Sequence, residues 1–581
     1  MMTRALLFCL LLGTGGAMAA EDATDTGMEE DPHAEVYSEN AYPSAAQCGS
    51  CHPRVFAEWS SSSHAYASIS PMFHKFEQAI TNLTQGTIGT FCVRCHQQVG
   101  TQMGEPREQA LWERSRVARE GVTCITCHRV KNAFGKVNGE RHIEPGPITD
   151  PVYGGGTSKA EDYANVLSQP ERYNIETADN PDGQQIHSAP IEFKQLEKSE
   201  FCVSCHQVAV NLGIKLEVVW DQYRGSPAEQ HGITCQDCHM GEVPGKAEGY
   251  ATGPVAIVNG RPVGEGSKHA NHAFYGPGYP IAHPGIFPFN RRALEWSIKE
   301  WLKFDYRAGW GTPEFERRLA RGEIERPDFP EPWNDRETRE RANVIVQQNK
   351  RGIEYKRETR RQVMENGSRI DGPFFAEDPQ VGEDLEFHYT LTNTDEGHNL
   401  PSGSLGAQPE IWFNVALIGP DGENLWESGY VDSHGDMADL HSHDVQQGKI
   451  EHDDQLVNLQ SKFLTTNVKG TDREMYLPVT FDVDQIPFLR PAAQPTTVIN
   501  HPPFVRMEQR SLPPLGSRDA EYTIPGELID EPGTYKLQAR LRSRAEPIYF
   551  MKFVGATTDM EQAMNEWMLD IHPYAVEFEV R

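Results

Sequence analysis

Ten of the eleven cysteines in this chain fall into five units that read Cys-x-x-Cys-His. They are Cys48-Cys51-His52, Cys92-Cys95-His96, Cys124-Cys127-His128, Cys202-Cys205-His206 and Cys235-Cys238-His239. Two thiols at this spacing can each add to one vinyl group of a haem. The histidine that follows can then coordinate the iron through a ring nitrogen, which is the c-type attachment signal. A disulfide framework would also use paired cysteines, but it gives no reason for a histidine after every second one. Structural zinc needs such pairs combined as fours, and five pairs do not divide that way. The motifs therefore predict five covalently attached haem c groups, bound by the ten cysteines, with the five motif histidines as iron ligands.

The arrangement is partly duplicated. FCVRCH, from Phe91, is followed by GVTCITCH, from Gly121; FCVSCH, from Phe201, is followed at nearly the same spacing by GITCQDCH, from Gly232. A two-haem unit thus occurs twice, with the Cys48 motif placed in front. Iron that only carries electrons wants a sixth ligand, whereas an open position allows chemistry. His64, His187 and His272 are expected as distal ligands, and His142 is a further candidate. His269, His283, His74 and His231 are less well placed. Arg141, Arg261 and Lys268 could neighbour haem propionates or simply be solvated.

The run Cys48-Gly-Ser-Cys51-His52, with Glu58-Trp59 and Ser63-His64-Ala65 after it, resembles the cytochrome c-554 family of multihaem cytochromes. GVTCITCH, GITCQDCHM and His187 ahead of FCVSCH extend the resemblance over roughly residues 40–290. It implies a mainly helical, loop-rich haem domain, closely stacked haem pairs and electron transfer. It also implies that one haem can be five-coordinate.

Elements outside the motifs set the frame. Arg4, the apolar run Ala5 to Leu12 and Ala17-Met18-Ala19 have the pattern of a cleavable signal peptide over residues 1–20, which would remove Cys9. Export to the periplasm or the cell exterior follows from it. Residues 21–40 are expected as an acidic disordered lead-in, 41–290 as the pentahaem domain and 291–370 as a charged helical connector. Within the connector, Glu337 to Glu365 has a helical pattern with Ala342, Val344, Ile345, Ile353 and Val363 as its sparse apolar face. From 371 to 581 the period becomes two, in LEFHYTLTN, IWFNVALIG, YTIPG, YKLQARLRS and YAVEFEV. This predicts an antiparallel β-sandwich with an irregular insertion over about 432–515. The fold class is multidomain α+β.

Two further features lie in this half. Gly397-His398-Asn-Leu-Pro-Ser-Gly403 resembles the GHxxPTG loop of C-terminal domains in several multihaem cytochromes. His398 could reach a haem, or could be a hydrogen-bonded loop histidine. His434, His441, His443 and His452, with Asp436, Asp439 and Asp444, could bind a metal or form an exposed polar loop. The formal net charge of −30 excludes nucleic acid as a partner, and no apolar run is long enough to span a membrane. The sequence reads as an electron carrier between redox partner proteins. An oxidoreductase acting on a small nitrogen or sulfur compound at one open haem is the alternative. A third reading makes the β-sandwich the docking surface of a complex or homo-oligomer wired by its haems.

Overall fold

The structure is a computed structural model, and it describes residues 41–83, 85–86, 88–132, 138–139, 141–155, 158–209, 215–278, 282–402, 409–465, 475–476, 505–508 and 510–581. The expected signal peptide with Cys9, the acidic lead-in, Gly403 and much of the 432–515 insertion lie outside the described residues.

The motif region is built from short helices and turns. Each motif sits on or at the end of one helical turn or two: Ala45–Gly49, Val93–His96, Cys124–His128, Val203–His206 and Cys235–His239. Caps explain why such short pieces hold. Ser44 with Gln47, and Thr234 with Asp237, form reciprocal capping boxes that satisfy backbone donors at the helix start. Apolar packing here is divided among small clusters, such as Tyr42, Val99, Met103, Val117, Ile125 and Ile143.

The connector has a denser core than its charged sequence suggests. Trp296, Trp301, Phe304, Trp310, Phe329 and Trp333 form one aromatic cluster, with the Phe304 and Trp333 ring centroids 4.8 Å apart. A single long helix, Arg336–Asn366, lies on it through Ala342, Ile345 and Val346. Val344, expected on the apolar face, is instead exposed. The helix turns by 3.6 residues, so Val346 rather than Val344 shares the face of Ala342 and Ile345. A buried pair locks its first turns: Arg339 donates from Nε to Glu316 Oε1 at 2.8 Å and from Nη2 to Oε2 at 2.6 Å. Breaking a buried pair leaves a lone charge in a low-dielectric site. Glu316→Ala should therefore lower unfolding stability by about 3–5 kcal/mol, read from chemical denaturation; a loss within experimental error would show that solvent reaches Arg339.

The C-terminal part is a two-sheet sandwich. Its strands are β1 (Ser368–Phe375), β2 (Leu385–Asn393), β3 (Glu410–Ile418), β4 (Asn424–Ser428), β5 (Ser517–Ile524), β6 (Gly533–Arg544) and β7 (Leu569–Val580). One sheet has the order β5-β2-β1 and the other β4-β3-β6-β7, all antiparallel. Along β2 alternate residues are buried, as period two requires. β3 is buried on both faces because the chain from Gly429 to Asn458 folds across its outer side. There Trp412 Nε1 donates to Gly429 O, while Val457 to Leu459 pair with the edge of β3, Phe413 N donating to Val457 O.

Two apolar contacts are among those that join the parts. Met364 of the long helix enters the sandwich core beside Leu385 and Tyr389. Helices Ile548–Phe553 and Thr558–Glu566, inserted between β6 and β7, pack on Met72 and Phe76 of helix Pro71–Leu83 in the motif region. Among the described residues no helix is long and apolar enough to cross a membrane.

Candidate functional site

None of the ten motif cysteines forms a disulfide. Their thiols meet across motifs. Cys48 is in hydrogen-bond contact with Cys124, Cys95 with Cys205, and Cys202 with Cys235. The first motif therefore adjoins the third, and the fourth adjoins both the second and the fifth. The third and fourth are linked by Arg141, which is buried between them. Its guanidinium donates to Thr126 O at 3.2 Å, Phe201 O at 3.1 Å and Ser204 Oγ at 2.8 Å. Of the other expected propionate neighbours, Lys268 lies over the Tyr250 ring at 3.7 Å and Arg261 is exposed.

Four motif histidines are oriented by backbone carbonyls. Nδ1–H donates from His52 to Val255 O at 2.7 Å, from His96 to Ala67 O at 3.0 Å, from His128 to Tyr153 O at 2.7 Å and from His239 to Tyr275 O at 2.5 Å. Such a bond fixes the ring and leaves Nε2 as the lone-pair nitrogen.

Three histidines from distant parts of the chain face motif histidines. The ring centroids are 6.2 Å apart for His64 and His206, 6.3 Å for His272 and His128, and 6.0 Å for His398 and His239. A metal–nitrogen bond of about 2 Å on each side, plus about 1 Å from nitrogen to ring centre, also gives roughly 6 Å. The pairs thus stand at the separation that one iron ligated from both sides needs. In two of the facing rings Nδ1 is again occupied, His272 donating to Ala270 O at 2.8 Å and His398 to Asn399 O at 3.0 Å.

Protonation favours ligation as well. Burial is the largest cause in each case, and it pushes His64 down to about 3 and His206, His272 and His187 to about 4. All four imidazoles are neutral at ordinary pH, the form that binds a metal. His187 is half-buried and stacks on Tyr163 at 5.5 Å. Its Nδ1 is buried without a hydrogen-bond partner. After burial, the group that most depresses it is His52, which places it towards the first motif. The residues present therefore fit haem c: open thiol pairs, oriented neutral imidazoles, and histidine pairs at an iron-spanning distance.

Other candidate residues are placed differently. His142 is exposed, with Nε2 3.4 Å from Glu144, and the structure does not bring it against a motif histidine. His74 Nε2 donates to Ser68 O at 2.7 Å, and His283 Nε2 donates to Phe304 O at 2.8 Å. His231 is exposed beside Glu396 at 2.8 Å. His269 is buried against Glu58 at 2.7 Å, and the same carboxylate accepts from His272 N at 3.0 Å. Glu58 is thus the brace of the 269–272 turn. Its role was not visible in the sequence, because the turn lies far along the chain. Beside His96 no second histidine ring stands at the distance found in the three pairs among the described residues; Phe73 stacks on it at 4.0 Å.

In the sandwich, ligand atoms of His434, His443 and Asp444 lie within 4.8 Å of one another. Asp444 already accepts from Lys449 Nζ at 3.1 Å and Ser433 N at 3.0 Å, and His443 Nε2 is bonded to the Gln447 amide. His441 stacks on Tyr549 at 3.9 Å and His452 bonds the exposed Asp454. These contacts brace the loop.

A search of curated protein sequences found no match. Among solved structures, the chain is similar to a penta-haem cytochrome c552 from Thermochromatium tepidum, at 14% identity and a TM-score of 0.45, over 92% of this chain and 99% of that one. It also aligns with an alkylpurine DNA glycosylase from Pseudomonas fluorescens, at 10% identity and a TM-score of 0.12, over 41% of this chain and 40% of that one. The stretch that holds the first three motifs, residues 47–129, matches the model of the family described as Cytochrome c554 and c-prime.

Proposed function

We propose that the protein is an exported pentahaem c-type cytochrome that conducts electrons between redox partner proteins outside the cytoplasm. The observation that carries this reading is the set of histidine pairs at 6.0–6.3 Å, each joining a motif to a distant segment. Bound haem c supplies a one-electron iron couple. The chain's own residues do the rest. Cysteines would fix each group covalently, and the paired histidines would hold its iron and close it to small molecules. His187 serves the first motif. The thiol contacts, with Arg141 bridging the third and fourth motifs, suggest the sequence of sites: first, third, fourth, fifth, with the second branching from the fourth. The β-sandwich contributes His398 to the fifth site and offers its outer surfaces to a partner complex or a further copy.

A second reading is favoured by one observation. Among the described residues the only aromatic ring stacked on His96 is that of Phe73, at 4.0 Å, so the second site is the candidate for an open position. That would suit an oxidoreductase acting on a small nitrogen or sulfur compound.

Haemochrome stoichiometry and electron paramagnetic resonance separate the readings. The expected count is five haems per chain; two or fewer would defeat the proposal. Wholly low-spin ferric signals support conduction. A high-spin signal that shifts with nitrite, sulfite or hydroxylamine supports the enzyme.

A further inference from the structure

The long helix carries a lysine that water does not reach. Lys356 is 2% exposed, and Arg360, one turn further on, is fully buried. Their face of the helix lies directly on the motif region. A Cβ on Gly352 would come within 2.8 Å of Ser61 Oγ. Ile353 packs with Tyr66 and Phe287, and Arg360 Nε donates to Pro277 O at 2.7 Å. The segments so covered are those around His64 and Phe274, whose rings are 4.2 Å apart.

Lys356 is close enough to His64 to depress its protonation. The charged group that acts on Lys356 itself is another cation, Arg360. Among the described residues no carboxylate forms an ion pair with Lys356, although acids outnumber bases in the chain by 84 to 54. An ammonium withdrawn from water costs several kcal/mol unless an anion accompanies it. Burial and Arg360 together push it down to about 7, so an adjacent anion is what would keep it charged.

We propose that Lys356 and Arg360 bind the propionate carboxylates of the haem held between His206 and His64, so that the long helix closes over that site and raises its potential. This rests on the reading of His206 and His64 as two ligands of one iron. A buried positive charge favours the more negative, reduced state, so the sign of the effect is fixed. It also gives the connector a task that a solvated helix would not have.

The test uses the full chain with its haems attached. Haemochrome assay and electron paramagnetic resonance of the unaltered protein come first; two or fewer haems, or no bis-histidine low-spin signal, overturns the ligand reading and this proposal with it. Spectroelectrochemical titration then compares Lys356→Gln, Lys356→Met and Lys356→Arg. In Lys356→Gln one of the five components should fall by about tenfold in its reduced-to-oxidised ratio, or about 59 mV for a one-electron couple. Lys356→Arg should restore it, and the other four components should stay in place. The proposal is overturned if no component moves in Lys356→Gln while Lys356→Met raises the thermal midpoint, since the ammonium would then be buried without an anion. It is also overturned if Lys356→Gln changes the low-spin signal itself, which would make Lys356 an iron ligand.

Discussion

Replacing His398 with alanine should convert one haem of five from low-spin to high-spin while leaving all five attached. In the proposed function attachment falls to Cys235 and Cys238, outside the sandwich. His398 stands 6.0 Å from His239, ring centre to ring centre, with the two planes 13° apart. Its Nδ1 is held by Asn399 O, and Asn393 Nδ2 donates to the carbonyl of His398 at 2.9 Å, so the loop presents the ring in a fixed pose. Removing the side chain opens one coordination position and touches no other pair. The ferric spectrum should gain a single high-spin component that binds cyanide or imidazole, and added imidazole should return it to low-spin. His142→Ala is the matching control, since that ring is exposed beside Glu144; it should leave the spectrum as it was. A wholly low-spin His398→Ala protein would remove the sandwich from the fifth site.

The second large effect concerns a glycine. Gly121 and Gly232 open the duplicated GVTC and GITC stretches, and both have φ of +71°. An L-residue is disfavoured there by about 1 kcal/mol or somewhat more. Their surroundings differ. At Gly232 an added Cβ meets nothing within 4 Å, whereas at Gly121 it would lie 2.5 Å from the carbonyl oxygen of His64. That same oxygen accepts from Val122 N at 3.0 Å. Gly232→Ala should therefore cost about 1 kcal/mol. Gly121→Ala should cost about 3 kcal/mol or more, because backbone on both sides must shift. It should also weaken ligation by His64, seen as a high-spin fraction that Gly232→Ala lacks. Equal effects of the two substitutions on thermal stability would show that the Gly121 contact is soft.

These two results bear on different levels of organisation. The Gly121 contact is how the second motif pair of the first module grips the segment of His64. The His398 contact is how the β-sandwich brings a histidine against the fifth motif. Both join residues that are far apart in the chain.

Several features needed no tertiary structure. A Cys-x-x-Cys-His unit is local: its chemistry depends on residues three and four apart on one helical turn, so five candidate attachment sites could be read directly. The alternation in LEFHYTLTN became β2, and the run in YKLQARLRS became β6, because period two is a property of the strand itself. The long helix was legible to within a residue or so at each end for the same reason.

The partners of the motifs were another matter. His64 follows the first motif yet faces His206, and His272 follows the fifth yet faces His128. His398, ambiguous as a loop histidine, lies against His239, while His142 stays at the surface. Nothing in spacing could assign these pairs, since each is made by a crossing of segments whose packing is set by the whole chain. The aromatic core under the connector was hidden for a related reason: its tryptophans are scattered between charged residues and converge only when the turns before the long helix fold back. In this protein the sequence alone determined where the five Cys-x-x-Cys-His units lie and on which local elements, because motif spacing and backbone periodicity act over a few residues. Only the tertiary structure decided which histidine faces which, because long-range contacts depend on how every intervening segment packs.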